Sequence, residues 1–440
     1  MSLFGSLFTG VSALSAQSQS MGMIANNIAN VNTTGYKRNE ASFSSLVTQA
    51  GRSTVYSPGG VRAATEQTVN QQGTPQQTAS STDVAISGSG FFVVQQSPNA
   101  TSGQETLYTR AGSFSEDENG YLKNSNGFYL MGWAIGDDGA LVDATADVAS
   151  LSPVSVGFES GRTKQTTQAD VVLNLDARQS TAGAGPHFSR SMTVYDSLGA
   201  AQQIQMDFTN TTAANTWNLR LSDPLGGAIT DPANTTDLPL VFGSDGKLDK
   251  AATLAAGLAA TPPSPMAYNP PGDPNGDLEL NLTGIDWLNN SDNTQSIKIN
   301  ISGMTQSASD YSVGTITQDG AELGLRTGIA IDSAGNVVAS FSNGLTQNLA
   351  RIPIATFTNP NGLQERTGNV YIQTSYSGSY NLRDAGTAGA GNIATSSLEA
   401  SNVDLADEFS RMIVTQRAYS AGTKIISTTD QMLTELLQLR

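Results

Sequence analysis

Two rows of apolar residues spaced seven apart, one near each end, constrain this chain more than any other feature. Leu7, Leu14, Met21 and Ile28 form the first row, with Leu3, Val11, Ile24 and Val31 in neighbouring positions. Leu405, Met412, Tyr419, Ile426 and Leu433 form the second. A seven-residue repeat returns to one face of an α-helix, so each row predicts a helix with a narrow apolar seam. The rows predict coiled-coil-like helices over 1–31 and 397–440. A helix of ~40 residues rises to roughly 60 Å, longer than one small domain.

Neither helix is strong alone. Gly5, Gly10 and Gly22 lie inside the first, and each costs about 1 kcal/mol relative to Ala. No side chain from Ser2 to Tyr36 is charged, so ion pairs one turn apart offer no compensation. A single pair of such helices is marginal in water. The plain alternative is that the two ends form an intramolecular hairpin. The expectation is that they are assembly elements, ordered by neighbouring copies.

The sequence between the helices has β texture. Val84 and Ile86 alternate into the run Phe91-Phe92-Val93-Val94, and Asn119-Gly120 and Asn126-Gly127 mark hairpin turns. The pattern returns at Ile329, Ile331, Val337-Val338, Asn343-Gly344, Ile352 and Ile354. The expected organisation is an extended connector over 32–76 and a split β-domain over 77–150 plus 306–375. A separate β-domain, 151–305, is inserted into it, and 376–396 is a Gly/Ala/Ser linker. Strands do not alternate with helices, which argues against a parallel α/β fold.

Composition narrows the function. The 440 residues carry 22 Lys+Arg against 38 Asp+Glu, a formal charge of -16. With no basic cluster, nucleic acid is not an expected partner. There is no Cys, which removes disulfides, thiolate metal sites and a Cys nucleophile. No apolar run approaches the ~20 residues of a membrane span. No basic segment precedes an apolar stretch at the N-terminus, so export, if it occurs, is expected without a cleaved signal peptide.

Chemistry-bearing motifs are sparse. His187 is the only histidine and sits in a loop-like context, without the orienting partner that general-base work needs. Gly389-Ala390-Gly391-Asn392-Ile393-Ala394 matches a loose dinucleotide fingerprint but lacks the βαβ unit, so a flexible linker is expected. Asp273 and Asp277 lack the glycine and bidentate glutamate of a calcium loop. Glu116-Asp117-Glu118 reads as a solvated hairpin tip. No catalytic residue, metal or cofactor is expected.

The signature residues lie where helix gives way to strand. Ala25-Asn26-Asn27-Ile28-Ala29-Asn30-Val31-Asn32-Thr33-Thr34-Gly35-Tyr36-Lys37 resembles the N-terminal signature of the bacterial flagellar rod and hook protein family. Leu398-Glu399-Ala400-Ser401-Asn402-Val403-Asp404 and the later Gln416-Arg417-Ala418-Tyr419 resemble its C-terminal partner, and Asp83–Phe92 a third family segment. Gly422 stands where the family usually has Asn, which suggests a local bend. The length and large insert are similar to hook members rather than distal rod members.

The resemblance implies an α+β multidomain structural protein, its terminal helices paired in a helical-tube core under two mainly-β outer domains. It implies a curved, self-polymerising tube outside the cell that transmits torque as a universal joint and encloses an export channel. Implied partners are further copies of itself, a hook cap protein, the distal rod protein, a hook–filament junction protein and the flagellar type III export apparatus. A rigid distal rod subunit is the nearer alternative. An extracellular β-domain enzyme or glycan binder with helical oligomerisation arms is the more distant one.

Overall fold

The computed structural model describes residues 3–46, 59–98, 105–136, 139–142, 147–157, 161–179, 187–224, 237–260, 266–269, 276–289, 291 and 295–438. Among these residues the protein is mostly β with three α-helices, α1 (Leu3–Ala29), α2 (Lys250–Ala259) and α3 (Leu405–Gln438). It divides into two units. One comprises 1–158, 328–340 and 346–440, and the other 159–327 and 341–345.

In the first unit, α1 and α3 pack side by side and antiparallel, with Gly10 against Ile426 and Gly422 against Leu14. After α1 the chain turns at Gly35, whose φ of +68° suits glycine. Strands Asn39–Ser45 and Val61–Gln67 then pair as an antiparallel ladder beside the helices. The β core lies in a thirteen-stranded sheet in which Phe91–Gln95 pairs with both Leu107–Thr109 and Tyr129–Ala134. The run Phe91-Phe92-Val93-Val94 is wholly buried because its alternate side chains serve two clusters. Phe92 and Val94 pack with Phe114 and Leu130, and Phe91 and Val93 with Tyr108 and Tyr371.

The second unit has its own core, drawn from 169–304. Alternating strands such as Gln168–Asp176 and Ala201–Asn210 point Val171, Leu173, Ile204 and Phe208 inward around Trp217. Asp249 caps α2, accepting from the backbone N–H of Ala252 at 2.9 Å. Periodicity had not suggested this helix.

Several boundaries differ from those expected. Residues 151–157 belong to the first unit: Ser152–Pro153 pairs with Tyr129–Ala134, and Val154 and Val156 enter its core. The second unit runs on past 305, since Thr305–Ser307 and Ser312–Gln318 both pair with Gln168–Asp176. The half-exposed pattern of 312–318 gives little apolar signal. The supposed linker 376–396 carries two strands, Tyr380–Arg383 on Ile354–Phe357 and Asn392–Thr395 on Val84–Ser87. The Gly389–Ala394 motif is therefore a turn leading into a paired strand. Residues 397–399 form a strand with Pro75–Gln77, and α3 begins only after Asp404. The 32–76 connector contains a ladder rather than a plain extended chain.

Candidate assembly surface

The terminal helices and their roots bring the predicted residues together. In α1, Leu7, Leu14, Met21 and Ile28 are all half-buried, while Ala16, Ser20, Ile24 and Asn27 are buried. In α3, Met412, Ile426 and Leu433 are half-buried, and Leu405 and Tyr419 remain 40 % exposed. The fully buried row of α3 is Glu408, Thr415, Gly422 and Thr429, also seven apart. Both rows of α3 thus reach α1, since Ile426 approaches Gly10 and Gly422 admits Leu14. A Cβ on Gly422 would stand 3.0 Å from Leu14, so this glycine sets a close approach. α3 runs through it as one uninterrupted helix.

Large apolar side chains of both helices outside the buried row are uncovered by the described chain. Phe4 is 73 % exposed and Phe8 63 %, one turn apart on α1, with Val11 following. On α3, Leu405, Phe409 and Ile413 form an exposed stripe at four-residue spacing, and Val414, Ile425 and Met432 are exposed on the other flank, where Ile425 comes within 3.6 Å of a Cβ placed on Gly10. The seven-residue rows missed this face because they follow the seam within the pair. Apolar residues left over from the seam were its only signal.

The signature residues lock the roots of both helices to the β-domain. Asn27 is buried and fully used. Its Nδ2 donates to the Asn39 carbonyl at 2.9 Å and to Glu408 Oε2 at 3.2 Å, while its Oδ1 accepts from Asn39 N–H and the Tyr36 hydroxyl. Asn30 donates to Asn26 Oδ1 and to the Asn26 carbonyl at the end of α1. Asn402 Oδ1 accepts from Arg38 N–H at 2.8 Å, and Val403 is buried beside it. Asp404 caps α3, accepting from Ala406 N–H at 2.8 Å. Gly35 donates to the Glu399 carbonyl at 2.7 Å, and a Cβ there would strike the Arg110 backbone. Gln416 and Arg417 are exposed on α3.

A buried ion cluster, not singled out from the sequence, holds this junction. Glu399 pairs with Lys37 through Oε1 and with Arg110 through Oε2 at 2.9 Å, all three side chains almost wholly buried. Burial pulls the Lys37 ammonium below its usual range, against the opposing attraction of Glu399. Desolvation pushes the Tyr36 hydroxyl up to about 12, with the Glu365 carboxylate adding to it. Desolvation also raises Glu408 above the usual carboxylate range, against the hydrogen bond from Asn27 and the charge of Arg38.

The chemical candidates are structural. His187 is half-buried rather than loosely exposed; its Nδ1 accepts from Asn210 N–H at 3.1 Å and its ring meets Trp217 edge-on. Asp117 Oδ1 accepts from Asn119 and Tyr121 N–H groups, closing a hairpin turn. Asp273 lies outside the described residues, and Asp277 stands 3.8 Å from Lys250. Among the described residues no group of three or more His, Asp or Glu could hold a metal ion. No helix there is long and apolar enough to cross a membrane.

Four family models match the chain. They are a flagella basal body rod protein model over 7–37, a flagellar hook protein FlgE/F/G D1 domain over 85–157, a flagellar basal body protein FlaE D2 domain over 174–321, and a flagellar basal body rod FlgEFG protein C-terminal model over 394–439. The flagellar hook protein FlgE of Rhizobium meliloti is 35 % identical, with all of both chains covered. That of Caulobacter vibrioides is 31 % identical, again over all of both chains. That of Salmonella typhimurium is 31 % identical over 98 % of each.

Proposed function

The chain belongs to the flagellar hook protein family, and from that membership we propose how its surfaces serve a hook subunit. It is a structural subunit of the bacterial flagellar hook, which self-polymerises in the flagellum. The terminal helices form the core of the polymer, and its contacts are made by the outer apolar face of the helix pair. The observation that carries this is the exposed pair Phe409 and Ile413, joined at the edge of the seam by Leu405, on a helix whose Ile426 and Gly422 are already turned to α1. A water-exposed stripe of that length in a polymerising protein is a contact surface awaiting a neighbour.

On this reading the seam residues Leu7, Leu14, Met21, Ile28, Met412, Ile426 and Leu433 stabilise the pair, and the pair in turn builds the tube. Copies joined in this way enclose an export channel and pass torque along the hook outside the cell. The hook cap, the distal rod protein, the hook–filament junction protein and the type III export apparatus are its further partners. The role is mechanical and asks for no catalytic group.

Substitution Ile413→Asp tests the assignment. A carboxylate there stays solvated in the free subunit but must be desolvated on assembly. The variant should keep the circular dichroism and melting temperature of the parent while forming no tubes by electron microscopy. Met412→Asp, one residue away but facing the seam, should instead lose helix signal in the free subunit. Normal tubes from Ile413→Asp would show that this face is not the contact.

A further inference from the structure

A cavity of about 290 Å³ opens in the first unit between α1, the strand Asn39–Ser45 and α3. Most of its exposed wall is apolar, from Met23 and Ile24 of α1, Phe43 of the strand and Val414 of α3, with Glu40, Glu408 and Arg411 among its polar lining. Phe43 is 47 % exposed and Val414 67 %, so the walls need cover that the described chain does not supply. At the other end of α1 stand Phe4 and Phe8, two large aromatics exposed one turn apart. An unfilled apolar hole and an unburied aromatic knob are each unfavourable in water, and each is the kind of surface that the other would cover.

We propose that Phe8, with Phe4 beside it, seats in this cavity of a second copy of the chain, making a head-to-tail contact. The proposal rests on the reading that hook subunits polymerise through their helical ends. A knob cannot reach the cavity of its own chain. Phe8 and Met23 are fifteen residues apart on one continuous helix, a rise of roughly 22 Å. The occupant must therefore be another molecule. Because hole and knob are different patches, the contact is heterologous, and each added copy presents a fresh hole or knob to the next.

The chemistry of the walls favours an aromatic ring over an aliphatic chain. Phe43 offers an edge-to-face partner, and the Met23 thioether a sulfur contact. At the rim the Arg411 guanidinium, held by Glu40 at 3.1 Å, can lie over an incoming ring. The knob end brings no charged side chain, since the first in the sequence is Lys37.

The absence of cysteine from the sequence makes a clean cross-linking test. One chain carries Phe4→Cys, keeping Phe8 as the knob, and another carries Val414→Cys at the rim. Each is doped into an excess of unaltered chain, alone or together, and the assembled tubes are mildly oxidised. The expected result is a disulfide-linked dimer only where both variants are present. Tubes with no mixed cross-link, or cross-links between identical variants, would overturn the proposal while leaving the hook reading intact. Failure of the unaltered chain to form tubes would overturn both. As a second readout, Phe8→Ala should raise the critical concentration for assembly about tenfold, a loss of ~1.4 kcal/mol, with no change in the melting of the free subunit. Phe8→Tyr should restore most of it. Equal critical concentrations for Phe8→Ala and the parent would reject the knob.

Discussion

Glu399 sits between two cations in a place water does not reach, and this arrangement makes it the most consequential single residue of the helix roots. Its Oε1 also accepts from Gly73 N–H at 2.9 Å. Backbone carbonyls share the load of the cations: Lys37 donates to Gln71, and Arg110 to Ile86 and Gly88. The Arg110 guanidinium lies 5.3 Å from the centre of the Phe91 ring. Removing one partner of a buried pair leaves an uncompensated charge, which costs about 3–5 kcal/mol. Two cations depend on this one carboxylate. Glu399→Gln should therefore destabilise the first unit by an amount near the top of that range, read as a fall in its urea midpoint. Lys37→Met removes an ammonium that burial already disfavours, so it should cost distinctly less. Paired urea titrations of the two variants decide the matter, and a Lys37→Met loss equal to or greater than that of Glu399→Gln would refute the ordering.

At the scale of the helices, what the sequence disclosed and what it hid have one physical cause. Leu14 and Ile426 stand out because large apolar residues recur every seven positions. Their counterparts Gly10 and Gly422 are invisible to that pattern, yet they set the approach of the two helices. The buried row Glu408, Thr415, Gly422 and Thr429 contains no apolar side chain at all. Two of its polar members have partners: Thr429 donates back to the Ile425 carbonyl at 2.8 Å, and Glu408 Oε2 accepts from Asn27 on the other helix. The root motifs were legible as a family signature, but their hydrogen-bond partners were not, since Asn27 and Glu408 are 381 positions apart. The two interior glycines now separate by environment. A Cβ on Gly22 meets nothing within 4 Å, so Gly22→Ala should stabilise the free subunit by about 0.5–1 kcal/mol through helix propensity alone. Gly422→Leu drives a whole side chain into Leu14 and should destabilise by about 1–3 kcal/mol. Thermal melts followed at a helix wavelength would show opposite shifts, and shifts of the same sign would mean that the Gly422 contact does not limit the pair.

For the whole molecule, the question is whether the inserted unit is a part that can be removed. Among the described residues, its buried core lies within 169–304, with Tyr311 and Ile316 packed against it, while the two clusters of the first unit draw on 84–156 and 331–393, with Val69 from before the sheet. A domain with its own core can fold alone. The hairpin tip 341–345 complicates the cut, because it belongs to the second unit: Asn343 donates to the carbonyls of Arg162 and Glu322, and Ser342 exchanges bonds with Leu325. Excision should therefore run from 159 to 327 with a Gly/Ser bridge, and Phe341, which is buried, should be replaced by Ser to spare the tip an exposed ring. Neither terminal helix is touched. If the ends build the tube and the insert biases its shape through outer contacts worth a few kcal/mol, the shortened chain should still be secreted and still polymerise. Its tubes should be straight or of altered curvature in electron micrographs, and cells relying on it should swim poorly. Monomers that melt cooperatively yet form no tubes would move the assembly contacts into the insert, and tubes of unchanged curvature would remove the insert from the control of shape.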